Sequence, residues 1–200
     1  TPIPLSHALP ILEEMGAEVY TEHPYEAKLH SGRAFWIQDF HLRHESDAPI
    51  DVEAISDRFE ECFMAVLSGE AENDGLNRLI VAAGLDWRQV TLLRTYAKHI
   101  LQLGVPFSQD YMEDVLVAHA DLARHLVQKF ENEFDPAIAK ARRSRERKAI
   151  QRKVERGLAK AGNVDEDRIL NAFAGGVEAT LRSNYFLRVD GKPKSYISIK

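Results

Sequence analysis

From residue 51 to residue 181 the apolar side chains return every three or four positions, and a run of helical period that long excludes a fold built mainly on sheet. Val52, Ile55, Phe59, Phe63 and Val66 form the first stripe, with Asp51 after Pro49 as its expected cap. After a break over residues 69–75, Leu76, Leu79, Ile80 and Ala83 recur at i, i+3, i+4 and i+7. Gly84 suits a helix stop, and Asp86 can cap a helix that starts at Trp87 and carries Leu92, Leu93, Tyr96, Ile100 and Leu103. Gly104 and Pro106 end it, and Ser108 can cap the next, whose inward residues read as Tyr111, Val115 and Leu116. A further helix is expected from Ala120 or Asp121, with Leu122, Leu126, Phe130 and Phe134 four apart, until Asp135-Pro136 breaks the pattern. Asp165 is the expected cap of a last helix, with Ile169, Phe173, Val177 and Leu181 inside and acids in its first turn.

The residues before this run behave differently. Residues 5–15 read as a short helix with Ser6 as cap, Pro10 in the first turn and Gly16 as stop. Residues 17–29 look extended, with Val19, Thr21, Tyr25, Ala27 and Leu29 sharing a parity, and Pro24 argues for an edge or a bulge. Ser31-Gly32 makes a turn into a second strand over 33–44, giving the αββ portion of a ferredoxin-like unit. At the other end, 185–189 and 195–199 flank Asp190-Gly191-Lys192-Pro193 as a hairpin. The fold class is therefore α+β, mostly α, in three parts: an α/β module over 1–50, a helical connector over 51–183 and a hairpin over 184–200.

Composition narrows the function classes. The 44% hydrophobic and 28% charged fractions are those of a soluble globular chain, and no apolar run is long enough for a membrane span. One cysteine, Cys62, permits no internal disulfide, fits a reducing cytoplasm and lies in an apolar helical pattern as a small core residue. Thr1 in place of Met, and an expected strand reaching Lys200, read as the ends of a piece cut from something longer. The net charge of −5 hides a local +8 over residues 137–160, where ten Lys or Arg stand against two Glu, which leaves −13 on the remainder. No aromatic residues interleave those cations, so the segment reads as a solvated or subunit-facing helix rather than a nucleic-acid site. Its apolar residues, Ile138, Ile150, Val154 and Leu158, make too thin a stripe for a core helix.

No catalytic constellation is visible. Gly175-Gly176 reads as a close-packing point inside a helix, and neither a phosphate-binding glycine loop nor a zinc helix motif occurs. His23, His30, His41 and His44 cluster on the expected hairpin, but His41 and His44 fall on opposite strand faces, which is poor geometry for a shared metal. What is unusual is the density of polar groups at the helical corner: Asn73, Asp74, Asn77, Arg78, Asp86, Arg88 and Arg94. Asp74, Asn77 and Arg78 are expected to tie this corner to neighbouring segments, with Asp165-Glu166-Asp167-Arg168 as the candidate partner.

Several short motifs, in order, resemble one family. They are Leu9-Pro10-Ile11-Leu12-Glu13-Glu14-Met15-Gly16 with Glu22-His23-Pro24-Tyr25, then Phe35-Trp36-Ile37-Gln38-Asp39-Phe40. Glu72-Asn73-Asp74-Gly75-Leu76-Asn77-Arg78-Leu79 follows, with Ala83-Gly84-Leu85-Asp86-Trp87-Arg88 and Leu93-Arg94-Thr95-Tyr96. Phe134-Asp135-Pro136, Asp165-Glu166-Asp167-Arg168-Ile169-Leu170 and Ala179-Thr180-Leu181-Arg182-Ser183-Asn184-Tyr185-Phe186 complete the series. The pattern resembles the large bacterial NAD-specific glutamate dehydrogenases and spans nearly the whole chain, with residues 137–160 matching least.

The resemblance implies a parent enzyme that converts L-glutamate, NAD and water to 2-oxoglutarate, ammonia and NADH. It implies that the first fifty residues are a partial ACT-like module, that the hairpin opens the catalytic region, and that substrate and NAD are held beyond this segment. On that reading the catalytic, cofactor-binding and metal residues here are none. The family-motif structural residues are Asn73, Asp74, Asn77, Arg78, Asp86, Trp87, Arg88, Arg94, Asp165, Asp167, Arg168 and Arg182. Expected partners are the chain's own catalytic region and further copies in a homo-oligomer, in the cytoplasm, with no membrane and no nucleic acid. The alternative is a stand-alone amino-acid-binding regulatory module.

Overall fold

The computed structural model describes residues 2–32, 34–44 and 50–200. The strand start at Arg33 and the break at Pro49 lie outside the described residues. Helix α1 (Leu5–Glu14) buries Ala8, Ile11 and Leu12. Its N-cap is Pro4 rather than Ser6, and the Pro4 carbonyl accepts from the His7 and Ala8 N–H groups in place of a side-chain cap. Pro10 is the sixth helical residue, not a first-turn residue. The bond it removes is the one to the Ser6 carbonyl, on a residue exposed to water that can replace it.

Gly16, at φ 79°, turns the chain into β1 (Ala17–Lys28), which pairs antiparallel with β2 (Ala34–His44). The register slips between Val19 and Thr21, leaving Tyr20 as an extra residue. The single parity read from the sequence therefore fails. Val19 pairs with Leu42, and Phe40, Gln38 and Trp36 continue that face towards α1, whereas Thr21, Tyr25 and Ala27 lie on the other. A two-stranded sheet has only edges, so Pro24 interrupts nothing that a third strand needs.

The described residues then form α2 (Val52–Leu67), a 3-10 turn (Gly75–Arg78) running into α3 (Leu79–Ala83), α4 (Trp87–Gln102), α5 (Gln109–Ala118), α6 (Ala120–Phe134), α7 (Lys140–Leu158) and α8 (Val164–Ala179). Asp51, Asp86 and Ser108 cap α2, α4 and α5 through their side chains. At α8 the cap is Asn163, which accepts from Glu166 N–H, and Asp165 lies inside the first turn. One apolar core runs from Ile11 to Tyr185, with Leu79, Ile80, Leu93, Tyr96, Phe130 and Phe173 fully buried. Of the expected inward residues, Val52, Leu103 and Leu181, at helix ends beyond the packed turns, are exposed, as is Tyr111, whose place Met112 takes, and Ile55 is not part of the core.

Helix α7 lies back along α6. It buries Val154 and sets Gly157 against Leu122, where an added Cβ would come within 2.9 Å of Leu122 Cδ1. Gly176 in α8 packs likewise against Tyr96, whereas Gly175 faces open space. At the C-terminus Asp190 (φ 51°) and Gly191 (φ 75°) form the two-residue turn between β3 (Arg188–Val189) and β4 (Lys192–Pro193). Lys192-Pro193 is thus paired, not turn. Residues 195–199 do not pair with 185–189 as the sequence suggested. The last residues return to 181–184, where Ser183 bridges Ile199 and Leu181 N–H donates to the Lys200 carbonyl at 2.6 Å.

Candidate functional site

The polar residues singled out in the sequence gather at two joints and leave a scattered remainder. The first joint forms because Asp74 caps the 3-10 turn, accepting from Leu76 N–H at 3.2 Å, and so presents its other oxygen to α4. Arg94, 2% exposed, meets it as a fork: Nε donates to Asp74 Oδ2 at 2.5 Å and Nη2 to Oδ1 at 2.8 Å. Nη2 also donates to Asn77 Oδ1 at 2.9 Å. Asn77 in turn donates to the Glu72 carbonyl and Asn73 Oδ1, and Asn73 donates to the Pro10 carbonyl of α1 at 3.1 Å. Arg94 Nη1 donates to Thr91 Oγ1 at 3.4 Å, so each guanidinium nitrogen of this buried pair has a partner.

Arg78 extends the joint to α5, not to the α8 acids that the sequence suggested. Its Nη2 donates to Asp114 Oδ1 at 2.5 Å and its Nε to the Gly75 carbonyl. Glu113, buried, accepts from Gly75 N–H at 3.0 Å and from Gln109 Nε2 at 2.7 Å. Both groups crowd Gly75, where a Cβ would lie 2.8 Å from Arg78 Nη2 and 3.0 Å from Glu113 Oε2, so a side chain there would have to push the ends of these two side chains aside. Burial pushes the Glu113 carboxyl up, against the opposing hydrogen bond from Gln109. Glu113 and Asp114 are members of this joint that the sequence reading missed. An acid pair on the next helix was the only signal for them.

The second joint is at the start of α4. Asp86 and Gln89 form a reciprocal capping box, and Gln89 Nε2 donates onward to Glu131 of α6 at 2.8 Å. Arg88 spans to the C-terminal segment, donating to the carbonyls of Lys194 at 3.1 Å and Tyr185 at 3.3 Å. Its guanidinium stands over the rings of Trp87 and Tyr185. Tyr185 is buried against Phe130, and that burial pushes its hydroxyl upward.

Asp165, Asp167, Arg168 and Arg182 are exposed and join neither cluster. Asp167 accepts from Asn171, and Arg182 contributes its backbone to the pairing with Lys200. Within α8, Glu166 meets His119 Nε2 in the turn between α5 and α6 at 3.1 Å, and Glu178 pairs with Lys129 of α6.

This arrangement fixes helices to one another and holds no paired nucleophile and base. Burial pushes the Cys62 thiol up to about 11 and the Tyr96 hydroxyl up to about 12, so both stay protonated. Gly175 and Gly176 are mid-helix, one of them against Tyr96, and cannot cradle a pyrophosphate. His23 and His41 make only an edge contact at 6.3 Å.

A partial α-β-β unit thus sits on a helical body whose joints are held by the buried Arg94 and the half-buried Arg78 and Arg88. Three family models match along the chain. The glutamate dehydrogenase ACT3 domain covers residues 1–55, helical motif 3 covers 71–136, and the bacterial NAD-glutamate dehydrogenase catalytic domain covers 153–200. That last match reaches back through α8 into α7. The NAD-specific glutamate dehydrogenases of Halomonas elongata and Pseudomonas aeruginosa are each 37% identical over the whole chain, and that of Mycobacterium tuberculosis 38% over 95% of it. The chain spans 12% of the length of each of these relatives. It belongs to the bacterial NAD-specific glutamate dehydrogenase family.

Proposed function

We propose that the chain is a structural and regulatory segment of an enzyme that deaminates L-glutamate oxidatively to 2-oxoglutarate and ammonia with NAD as acceptor. The segment does no chemistry itself. The observation that carries this reading is the closed network of Asp74, Asn77 and Arg94, whose donors are engaged in holding α4, the 3-10 turn and, through Asn73, α1 together. NAD and glutamate then bind in the catalytic region of the longer protein, with no metal required in this segment. The reading also takes the protein to be cytoplasmic and homo-oligomeric, with neither membrane nor nucleic acid as partner. The described helices are consistent with this in that none is long and apolar enough to cross a membrane. Division at 50/51 and 183/184 is part of the same proposal, supported by the change of period at the first and the start of the Ser183–Ile199 pairing at the second. Calorimetry with NAD and a glutamate turnover assay on the chain test it: neither signal is expected, and turnover by these residues alone would overturn it.

One observation favours a second reading, a stand-alone amino-acid-binding module. A groove of about 440 Å³ lies between α1, β2 and α2, with Ile3, Leu12, Trp36, Gln38, Phe63 and Met64 among its walls. A thermal-shift screen with amino acids decides it, and an unmoved melting temperature at millimolar ligand removes it.

A further inference from the structure

Helix α7 is held to α6 by one face only. Val154 is buried there, Ile150 and Leu158 are partly covered, and Arg143, Arg147 and Gln151 bond across to α6 and to the turn after it. The rest of its surface carries Arg145 and Arg156, turned away from α6, and Lys148 and Arg152, which also border a groove against α6 and α8; all four are exposed. Lys148, Arg152 and Arg156 stand one turn apart, where like charges at i, i+4 destabilise a helix. No carboxylate of the chain pairs with any of the four among the described residues, and Arg152 and Arg156 donate only to backbone carbonyls of their own helix.

A second helix shows the reverse. On α2 the inward face is set by Phe59, Cys62, Phe63 and Val66, and the outward face carries Glu53, Asp57, Glu60 and Glu61. Over residues 51–61 five carboxylates stand against one cation, Arg58, whose Nη1 donates to the Ala54 carbonyl. These four acids too have no ion pair among the described residues. Glu53, Asp57 and Glu61 repeat at the four-residue pitch of Lys148, Arg152 and Arg156, so each row extends about 12 Å along its helix. Ala149 and Ala159 flank the basic row and permit close approach.

We propose that the outward face of α7 docks on the outward face of α2 of a second copy of this chain. The contact matches three cations to three carboxylates at one-turn intervals. Because the two faces are different surfaces, the contact is heterologous and propagates head to tail into a ring or a chain of copies. This gives the homo-oligomer reading above a specific contact and rests on it only in part: copies that associate through another surface would defeat this inference and leave that reading standing.

Charge reversal with a mixing control tests it. One variant carries Lys148→Glu, Arg152→Glu and Arg156→Glu; the other carries Glu53→Lys, Asp57→Lys and Glu61→Lys. The substitutions are at exposed positions, and circular dichroism checks that each variant is folded. The unmodified chain should associate in sedimentation velocity, and its dissociation constant should rise at least about ten-fold from about 50 to about 500 mM salt. Each variant alone should be monomeric, since all its docking faces share one sign. An equimolar mixture should associate again, and a zero-length carbodiimide cross-linker should join Lys148 to α2 carboxylates in the unmodified chain. A monomeric unmodified chain at every concentration, or a mixture that stays monomeric, overturns the proposal. So does binding of a DNA duplex by α7 in a chain that does not self-associate.

Discussion

Arg94 is where one side chain does most for the fold. It is buried, and it is bonded at once to Asp74 and Asn77. Replacing one partner of such a pair strands the other, so Arg94→Met should destabilise the chain by about 3–5 kcal/mol in urea denaturation. Removing the partner as well, in Arg94→Met with Asp74→Leu, should recover part of that loss, because no uncompensated charge remains. If the single and double variants are equally unstable, the corner is held by shape rather than by charge. Glu113 gives a pH signature. Its carboxyl is raised from 4.5 by burial, so over the interval between that value and its folded value the native chain holds more protons than the unfolded one. The contribution is favourable at the acidic end and falls away as pH rises through the folded value. Glu113→Gln should therefore flatten the fall in the urea midpoint as pH rises above 4.5, leaving the shares of Glu14 and Glu131, which burial also raises. An unchanged slope would show that Glu113 titrates as it does when unfolded.

At the scale of elements, Gly157 in the last turn of α7 and Gly175 within α8 separate packing from propensity. Gly157 lets α7 close on α6, and a Cβ there would meet Leu122 Cδ1 at 2.9 Å and Leu122 Cβ at 3.0 Å. Gly157→Ala, in the last turn of α7, gains less helix propensity than the about 1 kcal/mol of a helix interior and overpacks a site whose neighbour is anchored at its own Cβ, so a net loss of about 1 kcal/mol is expected. Gly175→Ala meets nothing within 4 Å and should instead stabilise α8 by about 0.5–1 kcal/mol. The two thermal midpoints should move in opposite directions. If both rise, α7 is packed more loosely than its contact with α6 describes. The caps show what local sequence can decide. Asp51, Asp86 and Ser108 were legible because a capping side chain acts within its own turn. Asn163 over Asp165, and backbone capping by Pro4 over Ser6, depended on where the preceding chain arrives.

Across the whole molecule the C-terminal segment is tied to the helical body by few bonds, and Arg88 supplies two of them, to Tyr185 and Lys194. Arg88→Ala removes both, and the contact with two rings, while leaving the Asp86–Gln89 capping box in place. Amide exchange over 185–194 should accelerate by about ten-fold or more, corresponding to about 1.4 kcal/mol or more of lost protection, with the core of α4 unaffected. Uniform acceleration across the chain would mean that Arg88 supports the fold as a whole.

The sequence by itself determined the helical body, the α-β-β start and the crowding of polar residues at the corner. Hydrophobic period, glycine stops and capping residues are local properties, and each acts within a turn or two of itself. The tertiary structure alone decided which polar residues meet. Arg78 found Asp114 of α5 rather than the acids of α8, and Glu166 found His119 instead. It also decided the register slip at Tyr20 and the return of the last residues to 181–184. Those choices depend on how separate elements stack. A side chain's partner across thirty or a hundred residues is fixed by the packing of apolar faces that bring the two together, and no spacing in the sequence encodes it.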